Sequence, residues 1–257
     1  MLRELIKRSA VTLPFVFAVA KWAEIIGQRF LGQPHESDYE FIAKHAPECG
    51  LFLDIGANTG QSALSLSSVR PRWSIFSIEA NPACWPYLRL TQRLLGKKHR
   101  TLLAAASQAP GTLRLHVPRS GRFFYMQEAT TLRETLEEDA ARNRINRAFE
   151  IETFEVQSVP VDELDLQPDI IKIDVQGAEL HVLRGLARTI ERAHPVLMIE
   201  NGPVIAAVEE YLAPFGYSRR GFDGKALSVT ARDTLNVFFV PAAGPAKAWC
   251  EGGDHGK

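Results

Sequence analysis

The sequence predicts an α/β fold, a mostly parallel sheet with helices on both faces, on three observations. Leu51-Phe52-Leu53-Asp54-Ile55 is a short, almost continuous apolar run, the pattern of a parallel strand covered on both sides. It runs into a turn bracketed by Gly56 and Gly60, where the missing Cβ lets the backbone bend tightly, and then into the helical stretch Gln61 to Val69. Trp73 to Ile78 and Ile170 to Ile173 read as further strands, each ending beside an acid, Glu79 and Asp174. Open parallel sheets bind their ligands outside the carboxyl ends of such strands.

Composition narrows the class. A chain of 257 residues suits one large domain with an N-terminal extension, and 46% apolar with 23% charged residues is ordinary for a globular protein. Thirty basic residues against thirty acidic ones leave no field that would draw the chain to nucleic acid, so none is expected as a partner. Cys49, Cys84 and Cys250 are odd in number and widely spaced, which argues against a disulfide framework and a zinc site and for a reducing, cytoplasmic setting.

The elements follow in order. Residues 1–33 form the extension, in which Arg3, Lys7 and Arg8 precede an apolar stretch from Ala10 to Ala20. This resembles a signal peptide, but Glu4 in the basic part and Pro14 in the apolar part weigh against one. The stretch falls short of the roughly 20 apolar residues that span a bilayer. An amphipathic helix from about Leu2 to Phe30, kinked near Pro14, is expected to pack on its own domain or a partner subunit, or to rest on a membrane surface. Gly32 to Ser37 reads as a connector and Asp38 to His45 as a helix, opening a domain over 34–240. Beyond Glu79, Asn81 and Pro82 introduce a helix from Trp85 to Leu95, stopped by Gly96. Thr101 to Ala106 is a third strand, and Gly111 to Val117 alternates as a hairpin strand would. The segment 119–147, rich in Arg, Glu and aromatic residues, shows no clear buried element and takes helical spacing only from Leu132 to Ala141; as an insertion it is assigned substrate contact and lid duty. Phe154 to Val161, Pro195 to Glu200 and Leu235 to Val240 are further strands, and residues 241–257, with Gly, Pro and Ala throughout, read as a disordered tail.

Two signatures carry chemistry. The first turn is Gly-x-x-x-Gly with Asn58 inside it, not the Gly-x-Gly-x-x-Gly of a dinucleotide site, which speaks against a nicotinamide dehydrogenase. An acid beside that turn, Asp54, suits a ligand with an amino acid part, and the stretch resembles the first motif of S-adenosylmethionine-dependent methyltransferases. Glu79, roughly 20 to 25 residues beyond the turn at a strand end, is placed to accept hydrogen bonds from two ribose hydroxyls. In the second signature Lys172 and Asp174 are set into an apolar strand, where charges need partners or a ligand, and Glu179 falls in the following helix's first turn.

Asp54-Ile-Gly-Ala-Asn-Thr-Gly60, Glu79-Ala-Asn-Pro82, and Ile171-Lys-Ile-Asp-Val-Gln-Gly-Ala-Glu179 with Val182-Leu-Arg-Gly185 together resemble the FkbM family of S-adenosylmethionine-dependent methyltransferases, over about Gly50 to Val240. The resemblance implies a Rossmann-like class I methyltransferase fold with a seven-stranded sheet, S-adenosyl-L-methionine as cofactor, and transfer to a hydroxyl of a sugar, glycan or secondary metabolite. On it, Asp54 holds the methionine part, Gly56, Asn58 and Gly60 admit the cofactor, Glu79 takes the ribose, and Ser107 meets the adenine edge. Asp174 is the expected proton acceptor, oriented by Glu179 and acidified by Lys172, with His181 as an alternative base. No metal is assigned; clustering of Asp174, Glu179 and Glu200 around a divalent cation is the variant reading. Two features depart from the family pattern: Ala80, where members often carry Pro, and the segment 119–147. A non-catalytic scaffold that kept the fold is the rival function, distinguished by whether Asp174→Ala abolishes turnover while cofactor binding survives.

Overall fold

The computed structural model describes residues 14–120, 123–132, 150–231 and 234–250. The first half contains α1 (Pro14–Leu31), α2 (Tyr39–His45), β1 (Leu51–Ile55), α3 (Gln61–Val69), β2 (Ser74–Glu79), α4 (Trp85–Leu95) and β3 (His99–Leu103). Next come β4 (Ala105–Ala106), β5 (Gly111–Ser120), β6 (Phe123–Phe124) and β7 (Glu150–Val159). The chain closes with β8 (Ile170–Ile173), α5 (Glu179–Arg184), α6 (Ala187–Ala193), β9 (Val196–Glu200), α7 (Ile205–Leu212), β10 (Tyr217–Phe222), β11 (Leu227–Ser228), β12 (Asn236–Pro241) and α8 (Pro245–Cys250).

The main sheet runs β3-β2-β1-β8-β9-β12-β10-β11. Strands β1, β2, β3, β8 and β9 are parallel, while β12 is antiparallel to both neighbours. This is the class I methyltransferase arrangement of seven strands, lengthened at one edge by the two-residue β11. From β1 the chain winds outward through β2 and β3, then returns to build β8 and β9 on the other side. Strand order therefore reverses between β1 and β8, the place where such sheets open a crevice.

Period-two alternation divides the strands between two cores. Leu53, Ile55, Ile171, Ile173, Leu197 and Ile199 meet Val182, Leu183, Ile190, Val208 and Leu212 from α5, α6 and α7. On the opposite face Phe52, Ile75, Ile170, Met198 and Phe238 meet Tyr39, Phe41, Ile42 and Leu66 from α2 and α3. Toward the strand carboxyl ends this second face turns polar. Asp54 lies beside Ser77 and Lys172 in register, and Asn236 beside Glu200.

The strand expected from Phe154 lies in a second sheet: β7 pairs with β5 over nine residue pairs, Gly111 with Ser158 through Arg119 with Glu150, and a separate sheet β4-β7-β5-β6 results. Two expectations are corrected. The first part of segment 119–147 is not devoid of buried structure, because Met126 and Thr130 are buried against that sheet; residues 133–149, with most of the helix expected from Leu132, lie outside the described residues. The tail expected to be disordered from residue 241 instead finishes β12 and forms α8. Its Gly, Pro and Ala content suggests coil, but Trp249 is buried with its ring 5.8 Å from Phe41, and one large apolar anchor outweighs the composition. Residues 1–13 and 251–257 are outside the described set, and with them the part of the N-terminal helix expected before Pro14. Among the described residues no helix is long and apolar enough to cross a membrane.

Trp249→Ala should lower the unfolding free energy by about 3–5 kcal/mol in chemical denaturation, since it empties a buried aromatic site; an unchanged midpoint would show that α8 does not support the core.

Candidate active site

The turn after β1 is fixed by its neighbours. Gly56 has φ +79°, and a Cβ there would run into the Asp174 carbonyl oxygen, while a Cβ on Gly60 (φ +90°) would lie 2.6 Å from Thr91 Cγ2. Both glycines are thus required by the exit of β8 and by α4, which leave no room for a Cβ. Between them Asn58 adopts the left-handed conformation, φ 51°. Its backbone N–H donates to Glu79 Oε2 at 2.6 Å, and Asn81 N–H donates to Oε1 at 2.7 Å. Burial pushes the Glu79 carboxyl up to about 7 in spite of those two donors.

Beside it lies a charged cluster. Lys172, in the centre of β8, is 3% exposed and donates to Asp174 Oδ2 at 2.8 Å. Burial alone would lower its pKa, but Asp174, Asp54 and Glu36 outweigh it and hold the ammonium above its ordinary value. Burial opposes ionisation of Asp174 as well, yet Lys172 prevails and keeps that carboxyl below its usual range. Gln176 Nε2 bridges Asp174 Oδ1 at 3.1 Å and Glu200 Oε2 at 3.0 Å. Glu200 is raised to about 7, first by burial and then by the charge of Asp174.

The connector between α1 and α2 supplies a wall that the sequence reading did not foresee. His35 Nε2 lies 3.0 Å from Glu36 Oε1, and His35 Nδ1 lies 2.7 Å from Ser65 Oγ. Asn236 Nδ2 donates to Glu36 Oε2 and Asp38 Oδ2 at 3.0 and 2.8 Å. Three titratable residues within four positions of a short connector, His35, Glu36 and Asp38, are the signal that could have drawn notice.

These groups enclose one cavity of about 1050 Å³. One half is bounded by Ile78, Glu79, Leu115, Met126 and the small residues Ala104 to Ala106; the other by His35, Glu36, Lys172, Asp174, Gln176 and Glu200. Five of the expected site residues, Gly56, Asn58, Glu79, Lys172 and Asp174, line it. Four other expected site residues do not. Asp54 is fully buried one layer behind the wall, its Oδ2 3.4 Å from Ser77 Oγ and its Oδ1 without a partner, and burial raises it to about 6. Gly60 packs on Thr91. Ser107 turns back on its own loop, donating to Ala109 O at 2.8 Å. Glu179 is 3% exposed and accepts from Gly177 N–H at 3.1 Å, so it fixes the turn before α5, while Lys172 and Gln176 orient Asp174. His181 faces outward on α5. Among the described residues no group of three or more His, Cys, Asp or Glu is arranged to hold a metal ion.

A model of the methyltransferase FkbM domain matches residues 54–222. The chain belongs to the FkbM methyltransferase family. No curated protein matches its sequence. Among solved structures it is similar to an FkbM methyltransferase from Methylobacillus flagellatus KT, at 17% identity and TM-score 0.49 over 75% of this chain and 44% of that one. This chain thus spans under half of that relative's length. It is also similar to precorrin-6Y C5,15-methyltransferase of Geobacter metallireducens, at 14% identity and TM-score 0.43 over 78% and 83% of the two chains. Fibrillarin of Aeropyrum pernix, solved with natively bound S-adenosyl-L-methionine, gives 14% identity and TM-score 0.41 over 77% and 66%. The FkbM match takes in Glu79, Asp174 and Glu200, whereas His35, Glu36 and Asn236 lie outside it.

The raised carboxyls predict how stability varies with pH. Asp54, Glu79 and Glu200, at about 6, 7 and 7, each stabilise the folded chain fully below their ordinary values of 3.8 to 4.5, and the contribution is lost as pH climbs through the folded values. His99 runs the other way: burial lowers it from 6.5 to about 4, so its contribution is full above 6.5 and fades as pH falls toward about 4. The carboxyls outnumber it, so the melting temperature of the ligand-free protein should fall between about pH 5 and about pH 8, and Glu200→Gln should flatten that slope. A flat or rising profile would contradict the buried-carboxyl assignment.

Proposed function

We propose that the protein is an S-adenosylmethionine-dependent O-methyltransferase acting on a hydroxyl of a sugar, glycan or secondary metabolite. The observation that carries this is the division of one cavity at the strand carboxyl ends into a small-residue slot beside Glu79 and an oxygen-rich half around Asp174. The residues present fit the cofactor. A buried carboxylate held by two backbone N–H groups suits a ribose diol, since each oxygen keeps a lone pair to accept a hydroxyl. Ala104 to Ala106, with Ile78, Leu115 and Met126, leave room for a flat adenine, and the turn at Gly56 and Asn58 would take the methionine part. Asp54 acts from behind that turn as a buried negative charge and not as a direct contact. When bound, S-adenosylmethionine supplies a methyl already activated by its positive sulfur.

The chain's own residues then align the acceptor and remove a proton. Asp174, held in place by Lys172 and Gln176, accepts the hydrogen bond of the acceptor hydroxyl. Its lowered pKa makes it a weak base, whereas Glu200, at about 7 and tied to the same Gln176 amide, is matched to neutral pH and receives the hydroxyl proton on its own carboxylate oxygen. A carboxylate-rich half favours a neutral hydroxyl donor over an acidic acceptor. A cytoplasmic setting fits the cysteines, for Cys49 and Cys84 are free thiols.

Calorimetric titration with S-adenosylhomocysteine is the decisive first test. The wild type and Asp174→Asn should bind it alike, Glu79→Ala should bind at least ~10-fold more weakly, and Asp174→Asn should lose ~10²–10⁴-fold in turnover of an acceptor found by screening. No binding to the folded wild type would overturn the proposal. Turnover should rise with pH through about 7 as Glu200 deprotonates, and Glu200→Gln should remove that limb.

A further inference from the structure

Helix α1 is two-sided. On one side Ile25 is buried against the domain and Gln28 Nε2 donates to Gln61 O and Ser65 Oγ at 3.0 and 2.9 Å. Ala23, Gly27 and Leu31 edge the cavity. Turned away from the domain are Val19, Trp22, Ile26 and Phe30, exposed by 51, 50, 38 and 79%. Steps of three and four residues put these side chains on a single stripe. Leu31 and Leu235, 75 and 59% exposed and both on the cavity lining, carry the apolar surface to the cavity mouth.

We propose that this stripe docks on an anionic bilayer surface, with α1 lying in the headgroup plane and the cavity opening beside it. Area and charge select the bilayer over a second copy of the chain. Helix α1 has 18 residues, about 27 Å of length, so a stripe about 10 Å wide offers roughly 300 Å². A stable dimer needs about 800 Å² per partner. Arg29 borders the stripe, three residues after Ile26 and seven after Trp22, and Arg3, Lys7 and Arg8 precede the helix in sequence against the single Glu4. Cations flanking an aromatic and aliphatic face make up the composition of helices that lie in an anionic interface. Tryptophan and phenylalanine supply the apolar body at headgroup depth. On the methyl-transfer reading, an acceptor carried on a lipid would meet the cavity without leaving the membrane; the docking itself does not depend on that reading.

Flotation of the full chain with phosphatidylcholine vesicles, with and without phosphatidylglycerol, tests the proposal. The wild type should float with the anionic vesicles, less with phosphatidylcholine alone and less at high salt. The triple variant Trp22→Gln, Ile26→Gln, Phe30→Gln should partition about tenfold or more weakly. Equal S-adenosylhomocysteine affinity in both proteins would show that the variant kept its fold; if neither binds it, circular dichroism serves as that control and the methyltransferase reading falls by itself. Absence of flotation, or equal flotation of the variant, would overturn the docking. A wild-type dimer in sedimentation velocity that the variant dissolves, without vesicle binding, would overturn it in favour of a second copy.

Discussion

One buried ammonium organises the carboxyl ends of this sheet. Lys172 sits in β8 between β1 and β9, where an unpaired cation would face a desolvation cost of many kcal/mol. Its compensation comes from the neighbouring strand through Asp54, from the exit of its own strand through Asp174, and from the α1–α2 connector through Glu36. Satisfying the lysine therefore assembles three carboxylates from three parts of the chain. The surplus of negative charge that this creates is felt at Glu200, whose proton is held to near neutrality while Asp174 stays ionised.

That arrangement separates two tasks within one cavity. On the β2 side, Glu79 is locked by Asn58 and Asn81, and the small sheet contributes a wall of Ala105, Ala106 and Leu115. Fixed acceptors and a narrow apolar slot recognise a rigid ligand well, because little has to move when it binds. On the β8 and β9 side, the groups are charged, bridged by Gln176, and backed by His35 and Glu36 from outside the span matched by the FkbM domain model. Helix α1 completes the enclosure, tied to α3 through Gln28 and Gln61.

Much of this was legible beforehand. Local signals sufficed where one short segment settles its own conformation: the apolar run of β1 with its glycine turn, Glu79 at the end of β2, and the Lys172–Asp174 pair set into a hydrophobic strand all appear where period and residue type place them. Other readings miss what each residue meets. Gly60 is expected to admit a ligand, yet Thr91, from the next helix, closes on it, a long-range neighbour that sequence position does not name. Ser107 is expected at an adenine edge and Glu179 to orient Asp174, yet short side-chain-to-backbone contacts with Ala109 and Gly177 hold each within its own turn.

The sequence by itself determined the fold class, the crevice between β1 and β8, and the acids that stand at its rim, since hydrophobic period, glycine chemistry and the cost of burying charge are local properties. Only the tertiary structure decided that β5 and β7 leave the main sheet to wall the cavity, that Trp249 anchors the chain's last helix, and that His35 and Glu36 join the charged cluster. Each of these depends on long-range pairing or packing, such as Asn236 reaching Glu36 across 200 positions, and no local pattern encodes which distant partner a strand, ring or carboxylate will meet.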